Sequence, residues 1–159
     1  MDLILWRHAE ADEAGPAGEG GESSDDLERA LTHKGERQAE RMAGWLRRQL
    51  ASTTRVLVSP ARRAQQTADK LERKFKTVAA IAPGGSVEAL LQAARWPDSR
   101  EPVLVVGHQP TLGMAVAYLL SGATTPWALR KGAVVWLRGR EREGELQVVL
   151  HAALTPDMV

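Results

Sequence analysis

Five basic side chains lie at the carboxyl ends of three predicted strands of this 159-residue chain, or within five residues of them: Arg7, His8, Arg62, Arg63 and His108. Ligands of open α/β sheets bind beyond the carboxyl ends of the strands, so we expect these side chains to line one site. Guanidinium groups bind phosphoryl oxygens in pairs, and positive charge stabilises the transition state of phosphoryl transfer. The pattern therefore favours phosphoryl chemistry.

The two histidines of this group can supply a nucleophile. Neighbouring cations should lower the pKa of both imidazoles, which then stay neutral near pH 7. A neutral imidazole is a competent nucleophile. The residue types alone leave open which histidine attacks, and a hydrogen-bonded structural role is the common alternative for a single histidine at a strand end. We assign that structural role to His33, on a predicted helix surface, and to His151, near a predicted strand end.

A metal site is an alternative use of four residues with suitable ligand types: His8, Glu10, Asp12 and His108. Arg7 and Arg63 would repel a cation there, so we do not expect a metal. The chain has no cysteine, which excludes disulfides, thiolate nucleophiles and zinc–thiolate sites. It also lacks a P-loop, a dinucleotide-binding fingerprint and an HExxH motif, and we expect no cofactor.

Strands and helices must alternate along the chain to position these side chains. Apolar runs predict strands at 3–6, 55–58, 78–81, 103–106, 132–137 and 146–150. Amphipathic patterns predict helices at 32–52, 60–74, 86–94 and 110–120. Thr32, Ser59 and Ser86 are the predicted helix caps. This order predicts a single domain over 1–159, a three-layer α/β/α sandwich with a mostly parallel sheet of about six strands and an antiparallel pair at its C-terminal edge.

Residues 13–26 are rich in glycine and acidic residues and show no apolar periodicity. They predict a mobile loop, which is either a functional lid or a solvated insertion without a role. Arg29 lies where the chain returns from this loop and is a further candidate for the site.

The composition excludes several classes of function. The chain is 43% hydrophobic with a net charge of +1, which argues against binding of nucleic acid through bulk electrostatics. No apolar run approaches the roughly 20 residues that a membrane-spanning helix needs. The first predicted strand starts at the first residues, so we expect no signal peptide and a cytoplasmic location.

Four motifs in this order resemble the histidine phosphatase superfamily, whose fold is phosphoglycerate mutase-like. They are Arg7-His8, Leu31-Thr32-x-x-Gly35 with Trp45-Leu46, Ser59-Pro60-x-x-Arg63-Ala64-x-Gln66-Thr67, and Val106-Gly107-His108-Gln109-Pro110. The resemblance covers about residues 1–137. The small size and the Gly-His-Gln-Pro run look most like the SixA-type phosphohistidine phosphatases.

This resemblance implies a role for each matching residue. His8 would carry a covalent phosphohistidine, and Arg7, Arg63 and His108 would bind the phosphoryl group, with Arg29 as a further candidate. The implied partner is a protein that bears phosphohistidine, such as a phosphotransfer domain or carrier in signalling. The sequence predicts no nucleic-acid or membrane partner and leaves the oligomeric state open.

Two positions depart from the family pattern. Ala9 stands where the usual triplet is Arg-His-Gly, and the acid with which larger branches protonate the leaving oxygen has no clear equivalent. Glu88 is the nearest candidate for that acid, followed by Glu10. A missing acid fits a phosphoramidate substrate, whose leaving imidazole can take its proton from water. The alternatives are a broad small-molecule phosphomonoesterase and a catalytically silent module that binds phospho-ligands.

Overall fold

The computed structural model describes residues 1–13 and 26–159, so most of the predicted loop at 13–26 lies outside the described residues. The strands are β1 (Asp2–Arg7), β2 (Arg55–Val58), β3 (Lys76–Thr77), β4 (Val103–Gly107), β5 (Val134–Arg142) and β6 (Glu145–Leu154). The helices are α1 (His33–Gln49), α2 (Arg62–Asp69), α3 (Val87–Ala94) and α4 (Thr111–Ser121). No described helix is both long and apolar enough to cross a membrane.

The six strands form one sheet in the order β3-β2-β4-β1-β5-β6. Three neighbouring pairs, from β3 to β1, are parallel, and β1–β5 and β5–β6 are antiparallel. The predicted antiparallel pair at the C-terminal edge is confirmed, but the prediction of a mostly parallel sheet is wrong, because the sheet is mixed.

The direction of β5 explains the mixed sheet. The segment 122–133 returns the chain to the carboxyl end of β1 before β5 begins. There the Arg7 N–H donates to the Ala133 carbonyl at 2.9 Å, and the Gly132 N–H donates to the His8 carbonyl at 3.0 Å. A strand that starts at this end must run antiparallel to β1. The tight turn at Glu143 and Gly144, both with positive φ, then reverses the chain into β6.

Local corrections concern β3 and α2. The third strand occupies 76–77, and Ala79–Ile81 forms a 3₁₀ turn inside the run predicted as strand. Helix α2 begins at Arg62 after Ala61 and ends at Asp69, so Ser59 is not its N-cap and the helix is shorter than predicted. Thr32 and Ser86 do cap their helices, accepting from the N–H groups of Gly35 and Ala89.

Strand β1 is buried on both faces, as its uninterrupted apolar sequence predicts. Ile4 and Trp6 pack into one apolar cluster with residues of α1 and α2. Leu3 and Leu5 pack into a second cluster with residues of α3 and α4. The alternation of side chains along the strand thus fixes β1 from both sides, and its carboxyl end is held rigidly.

Candidate active site

The parallel strands β2, β4 and β1 are neighbours, and their carboxyl ends bring three basic side chains together. His8 follows β1 and His108 follows β4, and the centroids of their rings are 5.1 Å apart. Arg63, in the first turn of α2 after β2, donates from Nε to His8 Nε2 at 3.4 Å. His8, Arg63 and His108, hereafter the buried cluster, are only 7%, 4% and 4% exposed.

His8 presents an unprotonated Nε2 to the centre of this cluster. Its Nδ1 lies 2.7 Å from the Ala9 carbonyl, which can only accept, so the ring proton sits on Nδ1. Burial lowers the pKa of His8 to about 3, and the charges of His108, Arg63 and Arg7 act in the same direction against the Ala9 hydrogen bond. The ring is therefore neutral near pH 7, and the lone pair on Nε2 is the one that Arg63 contacts.

His108 is oriented by Ser59. Its Nε2 lies 2.7 Å from Ser59 Oγ, which also accepts from the Ala61 N–H at 3.1 Å. Burial, followed by the charge of Arg63, lowers the pKa of His108 to about 3, so this ring is also neutral. Ser59 Oγ can either donate to Nε2 or accept from it, so this hydrogen bond is compatible with both neutral tautomers of the ring. His108 Nδ1 is buried and has no hydrogen-bond partner among the described residues, so in the tautomer that carries its proton there it is free to donate to a ligand oxygen.

The sequence did not identify Ser59 as a site residue, because a Ser-Pro pair at the end of a strand usually indicates a helix cap. Here its hydroxyl contacts His108 instead, and α2 begins three residues later. This reassignment depends on the adjacency of β2 and β4, which brings the two strand ends together.

The two arginines of the predicted phosphate site differ in their partners. Arg7 donates from Nη1 to the Leu129 carbonyl at 2.7 Å, while its buried Nε has no partner among the described residues. Burial, followed by the charge of Arg63, lowers the pKa of Arg7. Arg63 donates from Nη1 to the Asp26 carbonyl at 2.7 Å and from Nη2 to the Asp26 carboxylate at 3.2 Å. Its neighbour Arg62 is exposed.

Asp26 is a site residue that the sequence analysis missed. Its carboxylate bridges Arg63 and Arg29, and the Arg29 contact is 3.2 Å from Nη1. Arg29 also donates from Nε to the Asp12 carbonyl at 2.6 Å, so it lies at the rim of the site. Burial would raise the pKa of Asp26, but hydrogen bonds and charges from Arg29 and Arg63 lower it below its usual value. The only sequence signal was the spacing of three residues between Asp26 and Arg29.

Neither predicted acid contacts the buried cluster within the described residues. The Glu10 carboxylate accepts from the Thr32 hydroxyl at 3.0 Å and lies 3.9 Å from Lys34 Nζ, at the start of α1. Glu88 is exposed in the first turn of α3.

Within residues 1–13 and 26–159, the histidines, aspartates and glutamates form no group of three that could hold a metal ion. His33 is exposed at the start of α1. His151 lies in β6, three residues before the strand ends at Leu154, with its ring 5.2 Å from that of Trp136. Both histidines stand outside the buried cluster.

The sequence of the chain matches a known protein family. The sequence profile of the histidine phosphatase superfamily (branch 1) matches residues 3–84. Phosphohistidine phosphatase SixA of Escherichia coli K12 is 33% identical over 135 residues, which cover 79% of this chain and 78% of that protein. The phosphohistidine phosphatase SixA homolog of Haemophilus influenzae is 31% identical in an alignment of 168 positions, gaps included, that covers 96% of each chain.

The fold is shared with a solved relative. The structure of the protein histidine phosphatase SixA complexed with tungstate superposes with a TM-score of 0.75 at 27% sequence identity. The superposition covers 99% of each chain. The likeness therefore extends beyond the region that the family profile matches.

Proposed function

The chain belongs to the histidine phosphatase superfamily, and on that premise we propose that it hydrolyses phosphohistidine on a signalling or phosphotransfer protein. His8 is the nucleophile in this proposal, and Arg7, Arg63 and His108 bind the phosphoryl group. Arg29 contributes through Asp26 at the rim.

The observation that carries the proposal is the state of His8 Nε2. This atom is unprotonated, contacts Arg63 Nε at 3.4 Å and lies on a ring 5.1 Å from that of His108. A nucleophile needs an unprotonated lone pair beside groups that stabilise the negative charge of the transferring phosphoryl group, and the long hydrogen bond from Arg63 Nε gives way when Nε2 attacks. The cationic side chains of Arg7 and Arg63 supply that stabilisation, together with His108 Nδ1 in the tautomer that carries its proton there.

The reaction proceeds in two displacements. His8 Nε2 attacks phosphorus, a new N–P bond forms, and the P–N bond to the substrate imidazole breaks. The leaving imidazole takes a proton from water. A water molecule then attacks the phosphorus on His8, the N–P bond breaks, and inorganic phosphate leaves with His8 restored. The proton that this water releases neutralises the hydroxide left when the leaving imidazole took its proton, so the two displacements together consume one water.

The ionised state of Asp26 favours a phosphoramidate over a phosphomonoester substrate. An alkoxide leaving group needs a proton from a nearby acid, whereas the nitrogen of a leaving imidazole is basic enough to take one from water. Among the described residues, Asp26 is the carboxylate in contact with Arg63, and its lowered pKa makes it a poor proton donor near pH 7. Glu10 and Glu88 make no contact with the buried cluster in the described part of the chain.

Three broader expectations belong to the same proposal. Residues 1–159 act as one histidine phosphatase domain. The two apolar clusters on opposite sides of β1 support a three-layer arrangement with helices on both faces of the sheet. The protein works in the cytoplasm, without a metal or cofactor and without a nucleic-acid or membrane partner.

A panel of substrates tests the proposal. Hydrolysis is measured on a phosphohistidine peptide, on free phosphohistidine and on small phosphomonoesters, with His8→Asn as the inactive control. We expect kcat/KM to be highest for phosphohistidine, with no turnover by the variant. Preference for phosphomonoesters would replace the proposal with the broad phosphomonoesterase, and binding without turnover of any substrate would indicate a silent phospho-ligand module.

A further inference from the structure

A second cationic site lies beside the buried cluster. It is a cavity of about 680 Å³ between the carboxyl end of β1, one face of α1, the segment 130–131 and the C-terminal residues 155–157. Six cationic side chains line this cavity, hereafter the basic cleft: Arg7, Lys34, Arg37, Arg41, Arg130 and Lys131. A single phosphoryl group does not need this volume, which is in the range of sites for larger ligands.

The basic cleft concentrates positive charge that the rest of the chain does not show. Glu10 and Asp157 are its two carboxylates, so its lining carries four more positive than negative charges, against +1 for the whole chain. Glu10 lies 3.9 Å from Lys34. The side chains of Arg37, Arg41, Arg130 and Lys131 form no ion pair with any described residue. Unpaired cations facing one cavity favour an anionic ligand.

The basic cleft adjoins the strand end that carries the candidate active site. Arg7 belongs to both, because it lines the cavity and directly precedes His8. Arg130 and Lys131 precede Gly132, whose N–H donates to the His8 carbonyl at 3.0 Å. Arg7 and the segment 130–131 thus connect the lining of the cleft to the residue next to which the phosphoryl group would bind.

The spacing of the cations suits an extended acidic segment rather than one compact anion. Lys34, Arg37 and Arg41 lie on one face of α1, and at 1.5 Å per residue they span about 10 Å. An extended peptide covers about 10 Å in three residues. The cleft is lined mainly by charged groups, so it is unsuited to an apolar ligand.

We propose that the basic cleft binds acidic side chains that flank the phosphorylated histidine of the protein substrate. The identity of that substrate rests on the proposed function, whereas binding of acidic peptide by the cleft does not. The acidic flank stays in the cleft while the phosphoryl group occupies the buried cluster. The cleft is thus a determinant of which phosphohistidine protein is used.

Peptide binding without turnover tests the cleft itself. The probe is a fluorescein-labelled peptide with an unphosphorylated histidine between two runs of three glutamates, and its partner carries glutamines instead. Fluorescence anisotropy is measured with the wild type, with Arg37→Gln/Arg41→Gln, and with the charge-matched control Arg48→Gln/Lys74→Gln, whose exposed positions lie outside the cleft lining. Each titration is repeated at higher salt, which screens exposed charges.

We expect the glutamate peptide to bind more tightly than the glutamine peptide. The cleft double variant should weaken glutamate-peptide binding roughly tenfold and leave the glutamine peptide unchanged, since each exposed pair contributes modestly. The control should bind like the wild type, and added salt should reduce the difference. Equal binding of the two peptides by the wild type, or an equal loss in the control, would overturn the proposal.

Hydrolysis assays distinguish failure of the cleft proposal from failure of the proposed function. On phosphorylated versions of the same peptides, the cleft double variant should lose kcat/KM for the glutamate peptide and keep that for free phosphohistidine. If the wild type hydrolyses no phosphohistidine at all, the proposed function fails while the anisotropy result still decides the cleft. If free phosphohistidine is cleaved but the two peptides are cleaved equally well, the cleft inference fails and the function stands.

Discussion

Arg63 and Arg41 are both arginines on helices beside the carboxyl end of β1, yet their surroundings are opposite. Arg63 is 4% exposed, and its guanidinium contacts His8 and Asp26. Arg41 is exposed in the basic cleft and forms no ion pair with the described residues. The buried cluster and the basic cleft therefore use the same side chain in two physical regimes.

Burial is what separates the two regimes. In the buried cluster, loss of solvent lowers the pKa of each histidine and strengthens every contact to a charged ligand. In the basic cleft, solvent and salt screen the cations, so each cation contributes little to the binding free energy. Binding there depends on several cations together. Chemistry accordingly belongs to the buried cluster, and attraction of an acidic partner belongs to the cleft. Substitutions should show this difference in the size of their effects.

The largest effect is expected at His8. His8→Ala should abolish the phosphoenzyme and reduce turnover by roughly 10⁴-fold or more, because the reaction loses its nucleophile. Rapid quench with labelled substrate should trap acid-labile, base-stable phosphate on the wild type and none on the variant. His8→Asn keeps the approximate shape and should bind substrate without turnover. Labelled phosphate on His8→Ala would show that another residue attacks.

Adjacent arginines give the sharpest contrast between buried and exposed cations. Arg63→Ala should cost about 3 kcal/mol of transition-state stabilisation, or roughly 100-fold in kcat/KM, because a desolvated donor to the phosphoryl group is lost. Arg62→Ala, at the exposed neighbour on α2, is the control and should have little effect. Unfolding transitions of both variants establish that the fold persists. Equal losses from the two substitutions would contradict the assignment of Arg63.

Stability against pH should also distinguish buried from exposed histidines. The folded-state pKa of His8, about 3, lies below its usual 6.5. The stabilisation that neutral His8 gives the folded chain is therefore fully present above about pH 6.5. It is lost as pH falls from 6.5 toward 3, because over that range the unfolded chain binds a proton at His8 and the folded chain does not. Between pH 7 and pH 5 this loss amounts to about 2 kcal/mol.

Urea denaturation of His8→Asn at pH 7 and pH 5 measures that loss. The variant should lose about 2 kcal/mol less free energy of unfolding than the wild type over this interval. His33→Asn, at an exposed position of α1, should follow the wild type. A pH dependence of His8→Asn equal to that of the wild type would show that His8 is not held neutral by burial.

The smallest effect is expected at the two candidate acids. Glu10→Gln and Glu88→Gln should each change hydrolysis of free phosphohistidine by less than about twofold, since general acid catalysis contributes roughly 100-fold or more where it operates. Free phosphohistidine is the substrate of choice because it has no flanking side chains for the basic cleft. A large drop in either variant, with unfolding unchanged, would reopen the phosphomonoesterase alternative.

The strand ends that carry the site were predictable from the sequence. Residues 3–6, 55–58 and 103–106 are short runs that are apolar apart from Arg55, and each is followed within two residues by a polar or charged side chain. Such runs form strands buried on both faces, and the abrupt change marks their carboxyl ends. The order of the motifs was enough to indicate the family, and the family profile confirms it.

The position of Asp26 and the role of Ser59 depended on the tertiary structure. Asp26 reaches Arg63 across 37 residues of sequence, and Ser59 reaches His108 across 49. From local patterns, Asp26 was only an acidic residue at the end of a predicted loop, and Ser59 was only a predicted helix cap. The mixed sheet has the same origin, since the direction of β5 depends on where the segment 122–133 meets the end of β1.

What the sequence determined by itself is the set of chemical groups and their places at strand ends, because strand and helix patterns are local and apolar periodicity records them. What only the tertiary structure decided is which groups share a desolvated space. Burial and long-range contact made His8 and His108 neutral, ionised Asp26 between two arginines and left the cations of the cleft facing solvent. Those properties depend on neighbours distant in sequence, whose packing no local pattern encodes.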